Sequence, residues 1–164
     1  MKEFKQVRDY LSLILLFLPP LLFVCLFCIF RNARSLQFSV FPWQFIILGI
    51  SGIVATTGGV LDWRFHRDPL NLKLPKKERD AEAAALGLGG LPMFILMWFA
   101  MLSEKPLWYL IPICVVLIYT VVLICYDEFI FHRKRCGKRE TTYHRMLVFG
   151  NAIAWLSWLH YIYL

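Results

Sequence analysis

Long charge-free stretches dominate the pattern of hydrophobic and polar positions along the chain. Five of them, each 19 residues or longer, are separated by short polar segments: 10–30, 35–61, 83–103, 106–126 and 146–164. About 20 apolar residues cross the hydrocarbon core of a bilayer as a helix. A helix packed in a soluble core would carry a polar stripe at 3.6-residue spacing, and these stretches carry none. The pattern therefore predicts an all-α, polytopic integral membrane protein with five transmembrane helices.

Turn and cap residues refine the boundaries of these helices. We expect spans at approximately 10–30, 40–62, 81–103, 106–130 and 142–164, all within a single transmembrane domain that covers residues 1–164. Pro75 suits the first turn of the third helix, and the Cys136-Gly137 step suits the break before the fifth. The first helix has no ionisable residue in its span and is expected at the periphery. Helices 2–5 are then expected to form a four-helix bundle that extends into the cytoplasm.

The distribution of Lys and Arg predicts the orientation. If the N-terminus is cytoplasmic, the inside segments are 1–9, 62–82 and 127–145, and they hold 15 of the 18 basic residues. The positive-inside rule therefore predicts a cytoplasmic N-terminus and a C-terminus on the opposite side of a plasma or inner membrane. The net charge of +7 belongs to this cytoplasmic rim. A nucleic-acid partner is not expected, because the basic residues are confined to short loops at the membrane.

Acidic and histidine residues recur at one spacing near the cytoplasmic ends of these helices. The pairs, each separated by four positions, are Asp62 with His66, Glu78 with Glu82, Glu128 with His132 and Glu140 with His144. A spacing of four places two side chains on one helical face, one turn apart. Residues at mirrored positions in an antiparallel hairpin lie at one depth, so His66 should be level with Glu78, and Glu128 with His144. The eight residues are therefore expected in one layer at the mouth of the bundle.

The chemistry of this layer predicts metal binding. Five carboxylates with three imidazoles suit iron, manganese or zinc, and the absence of thiolate argues against an iron–sulfur cluster. Eight candidates are too many for one ion and suit two. We predict two metal ions, with iron favoured over manganese or zinc. The predicted ligands are Asp62, His66, Glu78, Glu82, Glu128, His132, Glu140 and His144.

Individual roles follow from ligand type. Glu82 and Glu128 are candidates to bridge the two ions, the three histidines are candidate terminal ligands, and Asp127 would support them from behind. The inventory resembles that of the ferritin-like di-iron carboxylate proteins, which also place Glu and His on facing helices of a four-helix bundle. The resemblance is one of ligand type, because that family uses Glu-x-x-His and every pair here is spaced by four. The histidine boxes of membrane desaturases and fatty-acid hydroxylases are absent.

These patterns favour a metal-dependent oxidoreductase that hydroxylates or desaturates a lipid or another hydrophobic small molecule, with an electron-donor protein as partner. A zinc hydrolase of lipid amides or esters stays open, as does a non-enzymatic metal-binding or structural membrane protein. A network of acids and arginines at the membrane rim would explain the acids without metal. His160 lies 16 residues beyond His144, roughly 24 Å along a helix, and is expected near the other membrane surface.

Overall fold

The computed structural model describes residues 2–32, 41–67, 80, 83–127 and 137–164. Across these ranges the chain is helical and contains no strand. The helices are α1 (Lys2–Asn32), α2 (Trp43–Phe65), α3 (Ala85–Gly90 continuing as Leu91–Leu102), α4 (Pro106–Tyr109 continuing as Leu110–Asp127) and α5 (Lys138–Tyr163). The Ala85–Gly90 part of α3 is π-helical, and the Pro106–Tyr109 part of α4 is a 3-10 turn.

Four of these helices are long and apolar enough to cross a membrane. The spans are Leu13–Phe30, Trp43–Phe65, Ala85–Leu102 and Pro106–Tyr126, with mean hydropathies from 1.7 to 2.9. The fifth helix, α5, is less apolar because its first two turns carry charged residues and its remainder includes Asn151, Ser157 and His160. The described residues therefore form an all-α fold with four helices that could span a membrane.

Large apolar side chains cover the outer faces of the helices. On α2, Ile46, Ile50 and Ile53 follow one another at helical spacing, and each is more than half exposed. On α4, Ile111 and Ile118 are more than half exposed as well. Soluble proteins rarely expose contiguous apolar faces of this size. The hydrocarbon core of a bilayer would be a suitable solvent for faces of this kind.

The helix ends near the predicted polar layer agree with the sequence where the structure describes them. α2 ends at Phe65, so Asp62 lies in its last turn and His66 forms its C-cap. α5 begins at Lys138 directly after Gly137, whose backbone is extended, as the sequence predicts. The predicted helix start at Pro75 and the predicted extension of α4 beyond Asp127 lie outside the described residues.

The most extensive helix interface joins α2 to α5, which run antiparallel. Contacts at four levels define it: Gln44 with His160, Ala55 with Gly150, Gly58 with Leu147, and His66 with Glu140. Each step along α2 is matched by a nearly equal step back along α5. The two helices therefore stay in register from one end to the other, and the end of α2 faces the start of α5.

The peripheral position predicted for α1 is confirmed. α1 contacts α2 and α3, but very little of its apolar span is buried and most of its large apolar side chains are exposed. The centroid of the Phe23 ring lies 5.0 Å from that of Trp158, 5.7 Å from that of Trp98 and 6.0 Å from that of Phe45. This partly buried ring packs against an aromatic core at the end opposite the polar layer. Contacts between aromatic rings are stabilising, so they attach α1 to the outside of the other helices.

Candidate functional site

A cluster of acids and histidines lies where the end of α2 meets the start of α5. Asp62 and His66 are one turn apart on α2, and Glu140 and His144 are one turn apart on α5. Because the helices are antiparallel, the order of acid and histidine is reversed across the interface. The register that pairs His66 with Glu140 places Asp62 level with His144. We call these four residues the acid–histidine cluster.

The imidazole of His66 lies between two carboxylates from different helices. Its Nε2 is 3.3 Å from Glu140 Oε1 and 3.6 Å from Asp62 Oδ1. Charge-assisted hydrogen bonds of this kind are usually about 2.7–2.9 Å long. Both separations are therefore longer than a tight hydrogen bond, although they remain within ion-pair range.

All four members of the cluster are shielded from solvent. Asp62 is 5% exposed, Glu140 3% and His144 8%, and the side chain of His66 is 6% exposed. Removing a carboxylate from water costs several kcal/mol unless a partner compensates. Acids are rarely retained in such places without a specific role, and ionisable residues within membrane helices are functional candidates by default.

Aromatic rings cover one side of the cluster. The Phe65 ring packs edge-on against the His66 ring at 5.5 Å and against Tyr143 at 6.4 Å, measured between centroids. These rings lower the local dielectric and strengthen the interactions of charges beside them. A hydrophobic wall of this kind also limits the access of water.

The start of α5 alone does not account for Glu140. An acid in the first turn complements the positive end of the helix dipole, and it needs no burial to do so. Glu140 is instead almost fully buried and faces His66 on another helix. The neighbouring hydroxyls of Thr141 and Thr142 donate to the Gly137 and Lys138 carbonyls of their own helix. Each of these hydroxyls is therefore used locally.

Four arginines near the cluster in sequence are exposed. They are Arg64 and Arg67 at the end of α2, and Arg139 and Arg145 on α5. The guanidinium of Arg67 lies 3.6 Å from the centre of the Trp63 ring, in a cation–π contact. An ion-pair network at the membrane rim would be expected to lie at the surface with its arginines. Such a network therefore does not explain why Asp62 and Glu140 are buried.

Half of the predicted layer can be located. Asp62, His66, Glu140 and His144 lie where α2 and α5 meet. The other four predicted ligands lie outside the described residues: Glu78, Glu82, Glu128 and His132. Asp127 ends α4. Among the residues that the structure describes, no group of three or more His, Cys, Asp or Glu side chains is arranged to hold a metal ion.

Sequence reasoning missed which helices meet. It placed His66 level with Glu78 and His144 level with Glu128, within hairpins, and Glu78 and Glu128 lie outside the described residues. It did not predict that His66 would meet Glu140, as the structure shows. The feature of the sequence that could have indicated this contact is the face of each helix on which its glycines lie. Gly58 and Gly150 lie on the faces that form the α2–α5 interface, whereas Gly49 and Gly52 face open space.

His160 is separate from the cluster, as predicted. It lies at the far end of α5, where its Nδ1 accepts a hydrogen bond of 3.2 Å from Gln44 Nε2. Its ring also packs edge-on against Trp43 at 5.1 Å. This histidine therefore serves as an internal control for the others.

No family model, curated protein or solved structure matches the chain. The described residues themselves show an all-helical chain with four helices apolar enough to span a membrane and with ionisable residues buried where two packed helices meet.

Proposed function

We propose that this chain is an integral membrane metalloenzyme with a two-ion carboxylate and histidine site, and that it oxidises a lipid or another hydrophobic substrate. The observation that carries the proposal is the buried imidazole of His66 between the carboxylates of Asp62 and Glu140. Iron is the first metal to test, with manganese and zinc as alternatives. All three accept oxygen and imidazole ligands.

Two separations within the cluster are compatible with metal ligation, although the described side chains alone do not form a metal site. Ligand atoms about 2.0–2.2 Å from one ion at tetrahedral angles lie about 3.3–3.6 Å from each other. The Nε2 of His66 lies 3.3 and 3.6 Å from the two carboxylate oxygens. A metal ion between these atoms would also neutralise the negative charge of the two buried acids.

The described residues supply only part of the proposed site. Glu78, Glu82, Glu128 and His132 complete it in the proposal, with Glu82 and Glu128 as bridging ligands and Asp127 as a supporting acid. Carboxylates that bridge two ions are the usual way of holding two cations close together, because they reduce the repulsion between the cations. When bound, the metal pair would supply the activation of dioxygen. The residues of the chain would hold it, exclude water and orient the substrate.

The proposed topology has five spans, with the N-terminus in the cytoplasm. α5 packs along the full length of α2, and α2 is among the helices apolar enough to cross a membrane. A helix in register with a membrane-spanning partner would cross beside it. The concentration of 15 of 18 basic residues in the proposed inside segments supports the orientation.

A hydrophobic substrate suits the position of the cluster. The cluster lies at the ends of helices whose outer faces are apolar, so a lipid chain could approach through the bilayer. Exposed cations at the same helix ends, including Arg64, Arg139 and Arg145, suit an anionic headgroup.

Elemental analysis of protein purified in mild detergent tests the proposal. The wild type should carry close to two ions per chain after reconstitution with iron, and His66→Ala or Glu140→Gln should lower this content sharply because ligands act together. His160→Ala is the matched control, since it removes the same ring at the other end of α5 and should change nothing. Bound iron would absorb in the near ultraviolet, whereas a zinc hydrolase would be colourless. Equal losses at positions 66 and 160, or no bound iron, manganese or zinc in the wild type, would refute the proposal.

A further inference from the structure

We infer that Gly58 is a positioning residue for the acid–histidine cluster, because its missing side chain sets the distance between α2 and α5 at which His66 meets Glu140. The metal readout of this inference rests on the proposed function. A second readout rests only on the contact between the two side chains.

The contacts of Gly58 leave no room for a methyl group. A Cβ placed there would lie 2.6 Å from Met146 Cβ, 2.7 Å from Leu147 N and 2.8 Å from Tyr143 O. Carbon atoms in ordinary contact are about 3.5–4.0 Å from their neighbours. Two of the three atoms belong to the backbone of α5, so no rotation of a side chain can relieve the overlap. Any side chain at position 58 must move one helix away from the other.

The cluster lies close enough to Gly58 that such a movement would change the distances within it. Asp62 follows Gly58 by one turn and His66 by two, about 6 and 12 Å along the axis. Relief of the overlap requires a shift of about 1 Å to restore ordinary contact. Added to the 3.3 Å between His66 Nε2 and Glu140 Oε1, such a shift would bring the pair beyond the roughly 4 Å limit of an ion pair.

A reciprocal contact on α5 supports the same conclusion. A Cβ at Gly150 would lie 2.7 Å from Ala55 N and 2.9 Å from Ala55 Cα. Ala55 is one turn from Gly58, so two close approaches to backbone atoms fix the helix separation from both sides. Gly150 therefore provides a second, independent substitution with the same expected effect.

Two other glycines of α2 provide matched controls. At Gly52, nothing lies within 4 Å of the position that a Cβ would take, so alanine fits there without contact. A Cβ at Gly59 would meet Leu16 Cδ2 at 2.7 Å and Leu147 Cδ1 at 3.2 Å, which are the ends of flexible side chains. Each glycine-to-alanine change brings a similar gain in helix propensity. The variants differ mainly in what the new methyl group meets.

The experiment compares Gly58→Ala, Gly150→Ala, Gly52→Ala and Gly59→Ala in full-length protein. Iron affinity is measured by chelator competition, and helix content by circular dichroism. We expect Gly58→Ala and Gly150→Ala to lose at least about tenfold in affinity, the size of effect seen when ligand-orienting groups are removed, at unchanged helix content. Gly52→Ala and Gly59→Ala should stay within about twofold of the wild type, because neither methyl group meets backbone.

A metal-free measurement separates this inference from the proposed function. In protein stripped with chelator, Glu140→Gln should change unfolding stability in the wild-type background and have little effect in the Gly58→Ala background. If the wild type binds no metal, the proposed function fails and this comparison alone decides the inference. Wild-type affinity and an undiminished Glu140→Gln effect in Gly58→Ala would overturn the inference. So would failure of both Gly58→Ala and Gly150→Ala to fold while the controls fold, because the role would then be structural.

Discussion

The contact between His66 and Glu140 can be tested without metal by a double-mutant cycle. The variants are His66→Ala, Glu140→Ala and the double substitution, all in chelator-treated protein. The Nε2–Oε1 separation is 3.3 Å, and both side chains are less than a tenth exposed. Solvent screening, which reduces exposed pairs to about 0–1 kcal/mol, therefore has little influence on this one.

The structure also predicts whether each substitution lowers or raises the free energy of unfolding. Loss of the imidazole leaves two acids buried near each other, and a buried polar group that loses a partner costs about 1–3 kcal/mol. The coupling between His66 and Glu140 should be at least about 1 kcal/mol, which is larger than the deviation of about 0.3–0.5 kcal/mol seen for independent sites. In the His66→Ala background, Glu140→Ala should be neutral or stabilising, because it removes a buried carboxylate that has lost its contact with the imidazole.

Reversible unfolding in detergent micelles, followed by circular dichroism, measures the four free energies. The control cycle pairs His66→Ala with Arg139→Ala, which removes an exposed neighbour of Glu140. Independent sites add within about 0.3–0.5 kcal/mol, so the control coupling should fall in that range. A His66–Glu140 coupling no larger than the control would refute the assigned contact between α2 and α5.

Three further predictions follow from burial, topology and linkage. Trp158→Ala should destabilise the protein by about 3–5 kcal/mol, because Trp158 is only 2% exposed in the aromatic core. The control Trp108→Ala, at a 78% exposed position, should change the stability by no more than about 0.5 kcal/mol. The unfolding midpoints of the two variants provide the comparison. Cysteines at Arg135→Cys and Leu164→Cys should react with impermeant reagents from opposite sides of sealed vesicles, and labelling from one side would refute the five-span topology. Chelation should lower the unfolding temperature of the wild type, with recovery on addition of iron, and an equal shift in Glu140→Gln would argue against ligation by Glu140.

The helices could be predicted from sequence because the signal is local. Charge-free runs of about 20 residues set α2, α3 and α4 within a few positions, and Gly137 correctly predicted the start of α5. Length and hydropathy need no knowledge of neighbours. The residues that attach α1 to the other helices could not be predicted in this way, because Leu16 and Phe23 look like any lipid-facing residues until α2 and α3 are seen beside them.

The sequence predicted at which end of their helices the cluster residues lie, but not which two helices bring them together. The spacing of four correctly placed Asp62 with His66, and Glu140 with His144, near one end of their helices. It could not show that α2 meets α5, since adjacency between helices distant in sequence depends on the shapes of both surfaces. Gly58 and Gly52 are the same residue type on the same helix, and only the face on which each lies separates a contact from open space.

Metal binding through carboxylates and histidines is tested most directly by X-ray absorption at the iron edge of the reconstituted wild-type protein. We expect a first shell of oxygen and nitrogen ligands only, with imidazole scattering that weakens in His66→Ala. We also expect a metal–metal distance of about 3.5–4 Å, as in other two-ion sites. A first shell with sulfur at about 2.3 Å, or an iron spectrum that is unchanged in His66→Ala and Glu140→Gln, would contradict the proposed site.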